Sequence, residues 1–269
     1  MRDETTRDPA TTPGAAEGGG AGDGAWVVLP TYDEIDNLRP IAEAILATLP
    51  GAVLLVVDDA SPDGTGDLAD VLAAADPRVR VRHRAGKQGL GRAYLDGFGV
   101  AIAGGARIVV QMDADWSHDP SALPSLLAPI EDGAADLVIG SRYVPGGGLE
   151  VDWSPFRQAV SQSGSAYARA MIGTPVHDCT SGFRCYRASS LFETHLEKTT
   201  STGYFFCIEA LSRIVDSGGT VDEVPIVYTD RVLGHSKISN GIVFEAFWLT
   251  TLLGLARLTG RRKPHPAPR

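Results

Sequence analysis

Cysteine, methionine and lysine are all scarce in this chain of 269 residues. The cysteines are Cys179, Cys185 and Cys207, an odd set whose spacing matches neither a zinc ligand pattern nor a C-x-x-C redox pair. A disulfide scaffold and a zinc module are thereby excluded, and the expectation is reduced structural thiols in a cytosolic protein. The only lysines are Lys87, Lys198, Lys237 and Lys263, and the net charge is −9. That balance speaks against nucleic acid as a partner, since its binders are normally basic. The first residues lack the basic and apolar stretches of a secretory leader. No internal repeat is present. No uninterrupted apolar run reaches the ~20 residues of a membrane span.

Hydrophobic residues make up 43% of the chain and charged residues 21%, as in ordinary globular proteins. Residues 1–24 are rich in Gly, Ala, Thr, Pro and Asp and bury too little to offset their ordering entropy, so a disordered tail is expected. From Trp26 onward, short apolar runs alternate with segments of helical period. Strands are read at 26–30, 52–57, 79–81, 108–112 and 136–140, and helices at 35–49, 68–75, 91–103 and 123–130, with Ser121 as the expected N-cap of the last. This alternation predicts an α/β fold with a mostly parallel central sheet and helices on both faces. The second half reads as a glycine loop at 145–148, helices at 156–172 and 203–217, one strand over 220–229, and a C-terminal apolar segment.

In open α/β sheets ligands bind beyond the carboxyl ends of the strands, and the motifs collect there. Asp113-Ala-Asp115 closes an apolar strand. Two carboxylates so spaced suit a hard divalent cation completed by diphosphate oxygens; a solvated turn is the plainer reading. Pro30-Thr-Tyr-Asp-Glu34 offers an aromatic and carboxylates to a base and ribose, or acids to a helix start. Asp59 could accept hydrogen bonds from a nucleotide, while Asp63 reads as an Asx turn. Lys87 lies in the glycine-rich loop Arg84-Ala-Gly-Lys-Gln-Gly-Leu-Gly-Arg92, which lacks Walker spacing but suits an anion. Arg142, Arg184, Arg231 and Lys237 stand at loop ends and suggest a cationic cluster for phosphates, although surface charge is the usual fate of such residues.

Taken in order, P-T-Y-D-E, V-V-D-D-A-S-P-D-G-T, K-x-G-L-G-R-A, M-D-A-D, G-S-R-Y, D-x-T-S-G-F-R and D-R-V-x-G-x-S-K resemble the polyprenol (dolichol) phosphate mannose synthases, inverting family-2 glycosyltransferases of GT-A fold. The resemblance spans Trp26 to Lys237. It implies a catalytic domain over 25–237, followed at 238–269 by an apolar helix and a basic tail. It implies a guanosine site at Pro30, Tyr32, Glu34, Val57 and Asp59, with Asp113, Ala114 and Asp115 on the metal (Mg2+ or Mn2+) and the diphosphate-sugar. Arg142 would face the transferring region. Arg231 and Lys237 would bind phosphates, and Arg157 and Ser161 the polyprenyl phosphate. Ser117 stands where many members carry a glutamine metal ligand, and Asp33 where they carry asparagine.

The implied reaction moves mannose from GDP-mannose to polyprenyl phosphate; a UDP-sugar donor, or a silent nucleotide-sugar-binding subunit, is the alternative. Residues 242–258 read as a helix lying on the inner face of the cell membrane, with Arg257, Arg261, Arg262 and Lys263 toward anionic lipid. Docking onto a membrane-anchoring partner protein is the other reading of that segment.

Overall fold

The computed structural model describes residues 20–150, 153–196, 199, 205–229 and 240–259, the last without side chains for 240–245. Strands β1 (Ala25–Thr31), β2 (Val53–Asp58), β3 (Val79–His83) and β4 (Ile108–Gln111) are separated by helices α1 (Ile35–Thr48), α2 (Thr65–Ala75) and α3 (Leu90–Ala103). A 3-10 turn (Pro120–Ala122), α4 (Leu123–Glu131), β5 (Leu137–Ser141), β6 (Gly148–Glu150) and α5 (Pro155–Ile172) follow. The chain continues through β7 (Arg184–Arg187), α6 (Ala188–Glu193), α7 (Phe205–Asp216), β8 (Val221–Pro225), β9 (Val227–Thr229) and α8 (Asn240–Leu258).

The main sheet has seven strands in the order β3-β2-β1-β4-β7-β5-β8. All its pairings are parallel except those of β7, which runs antiparallel between β4 and β5. Strands covered on both faces read as continuous apolar runs rather than as alternation. In β1, Ala25, Val27 and Leu29 face the core built with α1, α2 and α4, whereas Trp26 and Val28 face the core built with α3 and α7. The register Thr31↔Asp58↔His83 brings the ends of β1, β2 and β3 to one edge. The chain order reverses between β1 and β4, which makes the crevice outside these two strands the switch point of the sheet.

Several boundaries differ from expectation for physical reasons. Packing begins ahead of residue 25: Gly51 N–H donates to Ala21 O, and Arg107 donates to the Asp23 carbonyl and carboxylate. Ser121 does not cap α4. Asp119 accepts its N–H at 2.8 Å and opens the 3-10 turn instead. The single strand expected over 220–229 divides at Pro225–Ile226, where Ile226 N–H reaches Ser141 O; β8 then pairs with β5 and β9 with β6.

Candidate active site

The β1 loop carries Tyr32, whose ring lies 4.0 Å from Lys87 Nζ, so the glycine-rich loop closes over the aromatic. Pro30 and Val57 are register partners at the ends of β1 and β2. Asp33 and Glu34 do not cap α1 with their side chains. The β2–α2 loop does so from outside: Ser61 Oγ accepts Asp33 N–H, Thr65 Oγ1 accepts Glu34 N–H, and Asp63 Oδ2 accepts Ile35 N–H at 3.0 Å. Asp63 Oδ1 also accepts Thr65 N–H, the expected Asx turn. Although burial alone would raise it, these hydrogen bonds hold the Asp63 carboxyl below its ordinary range. Glu34 is left to accept from Asn37 Nδ2 at 2.8 Å.

The paired acids after β2 divide their work. Asp58 is buried and structural, accepting from Thr31 Oγ1 and from both Ser61 donors. Asp59 is buried against the guanidinium of Arg84, a residue which sequence reasoning assigned only to the anion loop. Burial pushes the Asp59 carboxyl up, and the Arg84 charge and hydrogen bond offset part of that rise. The only hint in the sequence was an arginine one residue past a strand end, 25 positions from its partner.

The turn after β4 is held from three sides. Tyr94 of α3 donates its phenol proton to Asp113 Oδ1 at 2.5 Å. Asp113 N–H donates to His118 Nδ1 at 3.3 Å, and Asp115 Oδ1 accepts Ser117 N–H at 3.1 Å. Thr229 Oγ1 on β9 donates to Trp116 O. Ala114, Asp115, Ser117 and His118 are buried. Burial lowers the His118 pKa against the pull of Asp113 and Asp115, so the ring is neutral near pH 7; accepting at Nδ1, it carries its proton on Nε2. Asp33, Ala60 and Trp116 all take positive φ, at 57°, 56° and 63°. Each of these three strained non-glycine residues follows the carboxyl end of a strand of the parallel half of the sheet, β1, β2 and β4 in turn.

No group of three or more His, Cys, Asp or Glu able to hold a metal exists among the described residues. Asp113 and Asp115 remain as two hard oxygen donors on one turn. That set fits a divalent cation whose other ligands come from a diphosphate. Ser117 engages Asp115 through its backbone N–H.

At the end of β5, Arg142 forms a two-pronged pair with fully buried Asp178, Nε to Oδ2 and Nη2 to Oδ1 both at 2.7 Å. Burial works against both charges, but their mutual attraction prevails, lowering the Asp178 pKa and raising that of Arg142. The Arg142 guanidinium also lies near the rings of Tyr143 and Tyr228. Its charge is thus balanced within the fold, unlike that of the phosphate-binding cation expected. Arg184 departs further: fully buried, it donates to the carbonyls of Ser181, Cys207 and Cys179.

Helix α5 begins at Ser154, whose Oγ accepts Arg157 N–H, with Pro155 in the first turn. Arg157 lies 4.1 Å above the Trp153 ring. One helical turn on, Ser161 Oγ is 2.7 Å from Tyr143 OH. A file of aromatic contacts links this helix to the β4 turn: His118 meets the edge of Tyr228, and Tyr228 meets Trp153 at 5.8 Å. The D-x-D turn and the start of α5 therefore border one region. Arg231 and Lys237 lie outside the described residues.

An open α/β sheet with acids at its switch point and a D-x-D turn beyond β4 defines the GT-A class of glycosyltransferase. The model of the family described as glycosyl transferase family 2 matches residues 26–193, and the chain belongs to that family. Undecaprenyl-phosphate mannosyltransferase of Micrococcus luteus is 47% identical over 229 residues, covering 85% of this chain and 93% of that protein. Polyprenol monophosphomannose synthase of Mycolicibacterium smegmatis is 45% identical over 230 residues, 85% of this chain and 86% of that protein. Among solved structures, glucosyl-3-phosphoglycerate synthase from Mycobacterium tuberculosis, with phosphoglyceric acid, superposes with a TM-score of 0.61 at 21% identity, covering 92% of this chain and 82% of that one. The same enzyme with Mn2+, UDP and phosphoglyceric acid gives 0.60 at 22%, covering 92% and 80%. These two structural likenesses speak to the fold.

Proposed function

We propose that this chain transfers mannose from GDP-mannose to the phosphate of a membrane polyprenol, with inversion, giving polyprenyl phosphate β-mannose. The observation that carries this reading is the likeness, at 45–47% identity over 85% of the chain, to two enzymes whose names state mannosyl transfer to a polyprenyl phosphate. The acidic turn beyond β4 and the Arg157–Ser161 face of α5 supply the matching chemistry at one edge of the sheet.

Tyr32, with Lys87 over it, would pack on the guanine, while Glu34 and Asp59 accept hydrogen bonds from the nucleoside. A divalent cation, Mg2+ or Mn2+, held by Asp113 and Asp115 would neutralise charge on the leaving diphosphate. The acceptor, a phosphate monoester with a second pKa near ~6, is already anionic at neutral pH and needs no strong general base. The task of the site is to hold two anions together. Arg157 and Ser161 would orient the acceptor, Arg231 and Lys237 would meet the donor phosphates, and Arg142, neutralised by Asp178, would shape the sugar end.

No helix among the described residues is long and apolar enough to cross a membrane. Large exposed apolar side chains nonetheless concentrate on α5 (Phe156, Val160) and α8 (Phe247, Trp248, Leu252, Leu255, Leu258). We infer that this face meets the inner surface of the cell membrane. The test is product formation from radiolabelled GDP-mannose and polyprenyl phosphate, with UDP-glucose as the competing donor. Mannolipid should form with GDP-mannose alone, and Asp115→Ala should lower kcat on the order of 10²–10³-fold. Equal use of UDP-glucose would remove the donor assignment, and near-normal turnover by Asp115→Ala would remove the metal assignment.

A further inference from the structure

We propose that Tyr94 is a positioning residue for Asp113, its phenol hydroxyl fixing the orientation of the carboxylate and so strengthening the hold of the D-x-D turn on a divalent cation. The inference rests on the reading of Asp113 and Asp115 as cation ligands, and it concerns a residue on a different element from both.

Tyr94 lies on the sheet-facing side of α3 and is 1% exposed. Its ring is nearly parallel to that of Phe206, with centroids 6.3 Å apart, and tilts against Phe98 at 5.8 Å. Phe98 in turn packs on Phe206 and Tyr186. A buried ring held by neighbours from α3 and α7 has little freedom at χ1 or χ2. Its hydroxyl is therefore a donor at a set position, delivered to Asp113 Oδ1 at 2.5 Å. On the other side of the same residue, His118 takes the Asp113 main-chain N–H, while the His118 ring stacks on Phe183 at 4.8 Å. Backbone and side chain of Asp113 are thus pinned independently, each by an aromatic residue buried in the fold. Hydrogen bonds that orient a ligating carboxylate are worth roughly 10–100-fold in metal affinity.

The test compares Tyr94→Phe with the wild-type full-length protein. Phenylalanine preserves the ring stack and removes only the hydroxyl. Mn2+ affinity is read by electron paramagnetic resonance with GDP present, and GDP affinity by calorimetry with and without Mn2+. The expected result is Mn2+ binding weakened about 10-fold or more, with metal-free GDP affinity unchanged. A general structural effect would move both affinities together. Mn2+ affinity within twofold of wild type overturns the role of Tyr94 and leaves the metal site standing. Wild-type protein that binds no Mn2+ with GDP present removes the metal reading, and this proposal with it.

Discussion

Asp178 accepts from the Arg142 backbone N–H, from Arg142 Nε and Nη2, and from Ser181 N–H, with Thr180 and Ser165 hydroxyls close by. One fully buried carboxylate thereby ties the end of β5, the turn leading into β7 and the body of α5 together. Removing its charge leaves the Arg142 guanidinium buried without a counter-ion, and breaking such a pair from one side costs about 3–5 kcal/mol. Asp178→Asn should lose on that order of unfolding free energy in urea titrations. The sign of the pH dependence follows from the depressed pKa. Asp178 contributes stability that is fully present above the unfolded carboxyl pKa of about 3.9 and lost as pH falls through the lower folded value. The wild-type protein should therefore lose stability on acidification more steeply than Asp178→Asn; superimposable slopes below that pH would contradict the assignment. Sequence reasoning placed Arg142 and Arg184 in a cationic cluster because both sit at loop ends. It had no means of seeing a partner 36 residues from Arg142, or carbonyls that saturate Arg184.

The elements of the first half were legible because the strands are short apolar runs and the helices carry the helical period. Five apolar runs became β1 to β5, and the four amphipathic stretches became α1 to α4 with ends shifted by a few residues. The candidate site was legible in part for the same reason, since Tyr32, Asp59, Asp113 and Asp115 all follow such runs. Strand β7 was not anticipated as an antiparallel insertion: it has four residues, arginines at both ends and no period to read. The left-handed backbone at Asp33, Ala60 and Trp116 was equally invisible, since none of these residue types demands it. Helix α3 shows how an element sets the site. A Cβ on Gly97 would stand 2.4 Å from Val28 Cγ1 and 3.0 Å from Val57 Cγ2, so only glycine lets the helix lie this close to β1 and β2. Gly97→Ala gains up to ~1 kcal/mol of helix propensity but must displace the helix or the strands, at a cost of about 1–3 kcal/mol. Because Tyr94 is one turn earlier on the same face, the displacement should also move its hydroxyl. A modest net destabilisation in chemical denaturation, with weakened Mn2+ binding, is expected. Full stability with native metal affinity would show that the helix seat is softer than its contacts suggest.

At the scale of the whole molecule, the proposed reaction brings a water-soluble donor and a lipid acceptor together at one sheet edge, which constrains how the protein faces a bilayer. Helices α5 and α8 pack on each other: Tyr167 stacks on Phe247 and hydrogen-bonds Thr251, and a Cβ on Gly254 would lie 2.7 Å from Met171 Sδ. The residues proposed to hold the acceptor, at the start of α5, are thereby carried on the same helix pair that exposes Trp248 (54%) and Leu258 (81%), with Phe156 (78%) beside Arg157. Arg257 is not available to lipid as sequence reasoning held, because it pairs with Asp216 at 2.9 Å and also reaches Ser212 on α7. A net charge of −9 gives an anionic bilayer little global attraction, so apolar contact must supply much of the binding. Burying a Trp or Leu side chain contributes roughly 1.5–3 kcal/mol. The double substitution Trp248→Glu with Leu255→Glu, at positions already exposed, should leave the fold intact and weaken partition onto polyprenyl-phosphate vesicles on the order of 100-fold or more. Turnover of lipid presented in vesicles should fall with it, while turnover of the same lipid in detergent micelles, where no bilayer must be approached, should stay near wild type. Co-sedimentation and the two assays together separate the outcomes. Loss in both assays would mean that α8 shapes the site itself, and unchanged partition would mean that this face meets something other than lipid.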